Sequence, residues 1–138
     1  MQKIILEHVD NSELELAICQ EITKKLGDDW MERLVAKMDS GVEIVYSLMS
    51  DEENKVIIET HKEYNVDVFS VEDCSEQINS MYIENVLNKF LEEFSEFDNE
   101  VFMVNFMELL SADTVLDKIS KGGLKNLNFT EINILKNV

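Results

Sequence analysis

The sequence predicts an α+β fold, in which a small antiparallel sheet of three to four strands packs against helices and a helical hairpin follows at the C-terminus. Three observations support this prediction. Short runs rich in Ile, Leu and Val indicate strands, four-residue apolar spacing indicates helices, and capping residues mark where helices begin. With 138 residues and 45% apolar content, the chain is long enough to bury a core.

The first forty residues predict a strand followed by two helices. Residues 3–9 form a short apolar run, which favours a strand. A helix is expected from Ser12, where Glu15 completes a capping box, to Gly27, a residue type typical of helix C-termini. A second helix is expected over 30–38, with an alternating strand as the second interpretation.

The middle of the chain is predicted to be a sheet. Apolar and more polar side chains alternate over 42–49, which indicates a strand with one buried face. The polar run at 51–54 is typical of a turn, so a second strand over 55–60 is expected to complete a hairpin. Residues 66–71 predict a third strand, and helices are expected to cover the sheet.

The second half is predicted to be mainly helical. Asp73 and Glu76 form a capping box that opens the longest helix, which is expected to run to about Phe94. The apolar run that follows is ambiguous: it can form a buried strand over 101–106 or continue the helical structure. Because no stretch has the composition of a linker, residues 1–110 are interpreted as one acidic α+β domain.

Residues 111–138 are expected to form a helical hairpin packed on the same domain. A short helix begins near Leu116 and ends at the glycine pair that includes Gly123. Asn128 is expected to cap the next helix, with Glu131 as its partner in the first turn. The pattern of this tail consists of Leu116-Asp117-Lys118-Ile119, Gly123, Leu127, Glu131 and Leu135.

That pattern, which lies within residues 114–135, resembles a C-terminal module of bacterial proteins. The module also follows the membrane domain of some rhomboid-type membrane proteases. The resemblance implies a helical-hairpin shape and a bacterial origin. It includes no catalytic residue, and no part of this sequence resembles the rhomboid membrane domain, so the resemblance implies no activity.

The net charge of the chain restricts the classes of partner that it can bind. The chain has 29 acidic and 12 basic residues, for a formal net charge of -17. Residues 111–138 hold only three of the acids and four of the bases, which leaves 26 acids and 8 bases in the first 110 residues. Such a surface repels nucleic acid and anionic membranes and attracts basic protein. No direct binding to free nucleic acid or to a membrane is therefore expected.

The sequence also indicates a compartment. No apolar run approaches the roughly 20 residues of a membrane span, and the start of the chain is not typical of a signal peptide. Cys19 and Cys74 are too few for a disulfide framework, so both are interpreted as reduced thiols. These features predict a cytoplasmic protein, whose oligomeric state the sequence leaves open.

No catalytic residue, metal ligand or cofactor is predicted. The strongest enzymatic candidate places His61 beside Glu59 and Glu63, because strand spacing would turn the three side chains to one face. A solvated strand end explains the same residues without chemistry. Cys74 precedes a helix, where a thiol pKa can fall, but the surrounding acids oppose that shift.

Acidic residues combined with phenylalanines are the best candidates for partner binding. Carboxylates steer a basic partner, and aromatic side chains supply affinity. The alternative is a solvated helix end whose phenylalanines lie in the core. The candidates at the end of the long helix are Glu92, Glu93, Phe94, Glu96, Phe97, Asp98 and Glu100, and those at the predicted turn are Asp51, Glu52 and Glu53.

The leading functional hypothesis is a non-catalytic acidic inhibitor that binds and blocks a basic nucleic-acid-handling protein, such as a nuclease or a ribonucleoprotein. Immunity proteins against nuclease toxins and anti-CRISPR proteins have this size and charge as a class. One alternative is a structural or adaptor domain whose acidity serves solubility. Another is an enzyme that uses the carboxylates and histidine of residues 59–63.

Overall fold

The computed structural model describes residues 1–94, 99–122 and 129–136, and within these the fold is α+β, as predicted. One antiparallel sheet is present. Its strands are β1 (Gln2–Glu7), β2 (Leu34–Asp39), β3 (Val42–Ser47) and β4 (Val68–Asp73). They lie in the order β2-β3-β1-β4, so that β1 and β3 occupy the middle.

Helices account for most of the remaining described residues. The first two are α1 (Ser12–Leu26) and α2 (Asp51–Glu63), with a 3-10 helix at Trp30–Arg33 between them in the chain. The others follow β4, and they are α3 (Ser75–Ile83), α4 (Leu87–Leu91), α5 (Asn99–Glu108), α6 (Ala112–Gly122) and α7 (Phe129–Lys136).

The two faces of the sheet bury different helices. Ile4 and Val45 pack with Ile18 of α1 and Ile57 of α2, and we call α1 and α2 the N-terminal layer. Tyr46, the next residue along β3, points to the opposite face. There it packs against residues of α3, α4 and α5, which we call the C-terminal layer. The alternation of side chains along each strand thus supplies two cores from one sheet.

Several predicted elements are confirmed. The strand at 3–9 is β1, and the strands at 42–49 and 66–71 are β3 and β4. The helix expected to begin at Ser12 is α1, although its capping residue is Asn11. The Asn11 side-chain oxygen accepts hydrogen bonds from the backbone of Glu13 at 3.0 Å and Leu14 at 3.2 Å, which satisfies two amides at the helix start.

The helix predicted over 30–38 is wrong, and the alternative strand describes most of it. Four residues form the 3-10 helix, and Leu34–Asp39 is strand β2. The chain then turns into β3 through Ser40 and Gly41, whose φ angles are 51° and 85°. Two successive residues with positive φ are typical of a tight hairpin turn, which pairs β2 with β3 along their whole length.

The turn at 51–54 and the strand at 55–60 are also wrong, because both lie in α2. Ser50 accepts a hydrogen bond from the Glu53 backbone, and the Glu53 carboxylate accepts one from Ser50, which completes a capping box. Asn54 and Ile57 then face the sheet at helical spacing and are buried. Tertiary burial thus outweighs the strand preference of the β-branched residues here.

The predicted long helix from 73 to 94 is divided in two. Asn85 adopts a left-handed φ of 61° between α3 and α4, which ends the first helix. The predicted capping box at its start is absent, since Asp73 accepts a hydrogen bond from the Ser75 backbone at 2.8 Å instead of pairing with Glu76. The ambiguous segment 101–106 is helical and belongs to α5.

At the C-terminus, α6 and α7 contact each other, and they also contact α3 and α5 respectively. The helix predicted to end at a glycine is confirmed as α6, although it begins earlier, at Ala112. The predicted cap Asn128 lies outside the described residues. None of the described helices combines the length and the apolar character that crossing a bilayer requires.

Candidate functional site

Helix α5 carries both charge and apolar surface on its exposed side. Glu100, Val104 and Glu108 follow one another at four-residue spacing and are exposed, whereas Phe102 is buried. Val104 is 60% exposed, and so is Leu109, which directly follows the helix. We call Glu100, Val104, Glu108 and Leu109 the α5 surface. The α5 surface thus combines exposed apolar side chains with carboxylates.

A groove of about 580 Å³ borders the α5 surface on the side of α2. The buried residues Leu48 and Met49 line its apolar part. The carboxylates of Asp51, Glu53 and Glu108 line its polar part, together with the guanidinium of Arg33. The first turn of α2, which contains one of the two predicted acidic groups, therefore lies beside the C-terminal end of α5.

A second groove, of about 280 Å³, borders the α5 surface near its other end. Glu92 and Glu100 supply its carboxylates, and Leu91 and Met103 supply its apolar lining. Members of both predicted acidic groups, the one at residues 92–100 and the one at residues 51–53, thus border one helix, which is about 15 Å long. The tertiary structure brings together two sequence segments that are some forty residues apart.

The predicted residues at the end of α4 have different environments. Glu92 is exposed. The Glu93 carboxylate lies 2.8 Å from Lys37 Nζ, and this hydrogen bond raises the pKa of Lys37. Phe94 is 1% exposed, so the core position given as its alternative describes it, and its ring is not available to a partner. The predicted residues Glu96, Phe97 and Asp98 lie outside the described residues.

The predicted residues of α2 share the first turn of the helix. Asp51 and Glu52 are exposed, whereas Glu53 lies 3.0 Å from the guanidinium of Arg33. Partial burial alone would raise the pKa of Glu53, but the hydrogen bonds to Ser50 and the charge of Arg33 outweigh it and lower the pKa. Asp51 and Glu52 therefore present their charge at the surface, while Glu53 also stabilises the fold.

Sequence reasoning missed Val104, Glu108 and Leu109. Their signal was the four-residue spacing of Glu100, Val104 and Glu108, which places the three side chains on one face in a helix and in a strand alike. The sequence does not reveal that this shared face is exposed, because that depends on which side of the segment packs against the core.

The enzymatic hypothesis for Glu59, His61 and Glu63 assumed strand geometry, but these residues lie in a helix. Helical spacing places Glu59 and Glu63 on one side of α2 and His61 on the other. The Glu63 carboxylate lies 3.4 Å from Lys25 Nζ, and His61 Nδ1 lies 2.7 Å from the carbonyl oxygen of Ile57. The shared strand face assumed for the three side chains does not exist.

The remaining reactive groups are also accounted for by packing. Cys74 is buried in the C-terminal layer, and burial raises the pKa of its thiol, which opposes nucleophilic use. Within the described residues, no three His, Cys, Asp or Glu side chains converge as metal ligands would.

A buried polar cluster connects three helices near the C-terminus. Glu131 is 1% exposed, and its carboxylate accepts hydrogen bonds from the Tyr82 hydroxyl and, at 2.9 Å, from Lys118 Nζ. Burial raises the pKa of Tyr82, and the bond to Glu131 adds to the shift, so the hydroxyl stays a donor. These contacts join α7 to α3 and α6 through Lys118 and Glu131, two residues of the C-terminal pattern.

A scan of protein-family models and searches of curated proteins and of solved structures found no match to this chain. The geometry and the charge of the chain itself are therefore the features that bear on its function. Within the described residues, the α5 surface and its two grooves are where those properties meet.

Proposed function

We propose that this protein is a non-catalytic acidic inhibitor that binds a basic nucleic-acid-handling protein through the α5 surface. The observation that carries the proposal is the position of Val104 and Leu109, both 60% exposed, between two grooves that carboxylates line in part. Apolar anchors surrounded by charge are typical of protein interfaces.

The proposed mechanism is competition for a basic channel. Proteins that handle nucleic acid bind phosphates with Lys and Arg, and a net charge of -17 attracts the same side chains. Carboxylates at Asp51, Glu92, Glu100 and Glu108 would pair with them, while Val104 and Leu109 would contact apolar surface at the centre of the interface. Nucleic acid is then excluded because the channel is occupied.

The class of partner and the compartment follow from the same chemistry. A nuclease or a ribonucleoprotein is the partner class whose surface is complementary to this one, as for nuclease-immunity and anti-CRISPR proteins as a class. Both cysteines are free thiols, which fits a reducing compartment, so we place this action in the cytoplasm. Free nucleic acid and anionic lipid are not expected partners because their charge has the same sign.

The test uses a charge-reversed variant and a matched control. Glu92→Lys with Glu108→Lys reverses one carboxylate in each groove, and both positions lie at helix C-termini, where lysine is favourable for the helix dipole. The control, Glu59→Lys with Asp67→Lys, makes the same change in net charge at exposed positions on α2 and before β4. Circular dichroism and thermal melting establish that both variants are folded.

Affinity capture from lysate of the encoding organism, with washes at low and high salt, identifies the partner by mass spectrometry. We expect one basic protein whose binding weakens with salt, and inhibition of its nucleic-acid binding or cleavage by the purified chain. The variant with Glu92→Lys and Glu108→Lys should bind the partner at least tenfold more weakly than the wild type. The control with Glu59→Lys and Asp67→Lys should bind it less than threefold more weakly. Equal effects of the two variants would disprove this interface, and a partner indifferent to salt would favour an adaptor domain.

A further inference from the structure

Strand β4 lies at the edge of the sheet, where only one of its two sides is paired. Its neighbour is β1, and within the described residues no strand pairs with its outer side. The amide of Cys74, directly after β4, donates to the carbonyl oxygen of Met1 at 3.1 Å. Because the hydrogen-bonding groups alternate along a strand, the backbone groups of Val71 and Asp73 point away from β1. An unpaired edge of this kind can accept a further strand.

The outer edge of β4 is open and partly apolar. Phe69 is 57% exposed and Val71 is 41% exposed. Val71 also lines a groove of about 450 Å³ between β4 and α2, together with Ile58 of α2. The register of β4 with β1 is regular from Ser70 to Asp73, and the irregularity lies before it, beside Phe69. A strand laid along this edge therefore finds regular backbone groups and a groove for its side chains.

Carboxylates outnumber ammonium groups around this edge. Residues 66–76 contain four acids and no lysine or arginine. The groove adds three carboxylates and two ammonium groups, which belong to Asp51, Glu52, Glu59, Lys55 and Lys62. Lys3 is the neighbour of Glu72 on β1, and its ammonium lies 5.8 Å from the centroid of the Tyr46 ring. With Lys3 included, the edge still has a net negative charge, which favours a basic ligand.

We propose that the outer edge of β4 binds a basic, extended peptide segment of a partner protein by strand addition. The backbone of the segment would pair with Val71 and Asp73, and such main-chain hydrogen bonds supply affinity. An apolar side chain opposite Val71 would enter the groove, and lysines opposite Glu72 and Asp73 would face carboxylates. A second copy of the chain is disfavoured as the occupant, because it has the same net charge of -17.

This edge and the α5 surface are separate sites. Helix α5 contacts β2, which lies at the opposite edge of the sheet. A peptide at β4 therefore leaves the α5 surface free, and the proposal does not rest on the proposed function. A short synthetic peptide tests the β4 edge by itself.

The first experiment titrates the full chain with the peptide acetyl-Lys-Lys-Val-Thr-Val-Lys-amide at constant ionic strength, with two-dimensional NMR and amide hydrogen exchange as readouts. In an antiparallel pair that places the first lysine opposite Asp73, the first valine lies opposite Val71. We expect saturable binding that slows amide exchange at Val71 and Asp73 about tenfold or more. No saturable binding, or saturation that leaves these two amides unprotected, would overturn the proposal.

Modified peptides separate strand addition from attraction by charge. N-methylation of the first valine removes an amide that would donate to β4, and we expect it to weaken binding about tenfold or more. N-methylation of the threonine, whose amide points away from β4, should weaken binding less than about threefold. The analogue with glutamate at each lysine should show no saturable binding. Equal losses for the two methylated peptides would show that charge alone holds the peptide.

Protein variants locate the site. Glu72→Lys reverses an exposed carboxylate of the edge and is expected to weaken peptide binding about threefold to tenfold. The control Asp39→Lys makes the same change in charge at the exposed end of β2 and should weaken it less than about twofold. Circular dichroism and thermal melting establish that both variants are folded. Equal weakening by the two variants would place the peptide elsewhere.

Sedimentation of the chain without peptide tests the other occupant. We expect a single monomeric species in which the amides of Val71 and Asp73 exchange rapidly. A dimer in which these two amides are protected would show that a second copy occupies the edge, and it would overturn the assignment to a basic peptide.

Discussion

The two faces of one sheet are packed in different ways. The N-terminal layer is mainly aliphatic and leaves a cavity of about 60 Å³. On the other face the ring of Tyr46 meets Phe90 and Phe94 edge-on, with centroid distances of 5.3 and 5.5 Å. The C-terminal layer also leaves an opening, of about 160 Å³, which is lined by Tyr82, Met103 and Met107. The comparison shows that the alternation of a strand decides which core a side chain enters, and that the two cores differ in their side-chain chemistry, mainly aliphatic on one face and partly aromatic on the other.

The largest expected effect breaks the aromatic core. Phe94→Ala removes a ring that is 1% exposed and contacts Tyr46, Phe90 and the Lys37 ammonium, which lies 5.3 Å from the ring centroid. We expect the free energy of unfolding to fall by about 3–5 kcal/mol, measured by urea denaturation. Leu16→Ala, at an exposed position of α1, should change it by less than about 0.5 kcal/mol. A loss below about 1 kcal/mol in Phe94→Ala would show that the ring is not part of a well-packed core.

An intermediate change in the free energy of unfolding is expected when a cysteine in each layer is replaced by leucine, which compares the two layers directly. Cys74→Leu adds volume to the C-terminal layer and should lower the free energy of unfolding by about 1–3 kcal/mol. Cys19→Leu adds the same volume beside the cavity and should raise it by about 0.5–2 kcal/mol. Thermal and urea unfolding of the two variants checks the sign. If both variants were destabilised equally, the difference in packing would be unsupported.

The smallest expected effect is a change in how the free energy of unfolding depends on pH. The pKa of His61 is lower in the folded chain than its ordinary value of about 6.5, chiefly because the ring is buried. The folded state therefore binds fewer protons, and its stability is complete above pH 6.5 and falls as the pH drops through the folded pKa. Urea denaturation at pH 7.5 and 5.0 should show a smaller loss for His61→Gln than for the wild type. The exposed neighbour Lys62→Gln should lose as much as the wild type, and a His61→Gln variant with the same loss would contradict this origin.

The sequence predicted some elements well and others poorly, for identifiable reasons. Helix α1 was predictable because polar residues at its start and Gly27 at its end act within a few residues of the chain. The α2 segment is a helix instead of a turn and a strand, because the polar run at 51–54 is typical of a turn as well as of a helix start, and the β-branched residues that follow favour strands. The break between α3 and α4 depends on the left-handed φ of Asn85, which no pattern in the sequence predicts.

The candidate surface shows the same division. The acidic residues of both segments are evident from the sequence alone. Their convergence on α5 is not, because it depends on α2 and α4 packing near opposite ends of that helix. The burial of Phe94 was equally undecided, since a phenylalanine among acids is compatible with a core and with an interface.

The sequence by itself determined the fold class, the charge of the surface and several of the helix and strand positions, because these depend on composition and on interactions between residues three or four apart. The tertiary structure alone decided that α2 is a helix, that two acidic segments border the α5 surface, and that the N-terminal layer contains a cavity. These features arise from contacts between residues far apart in the chain, and burial there outweighs local preference.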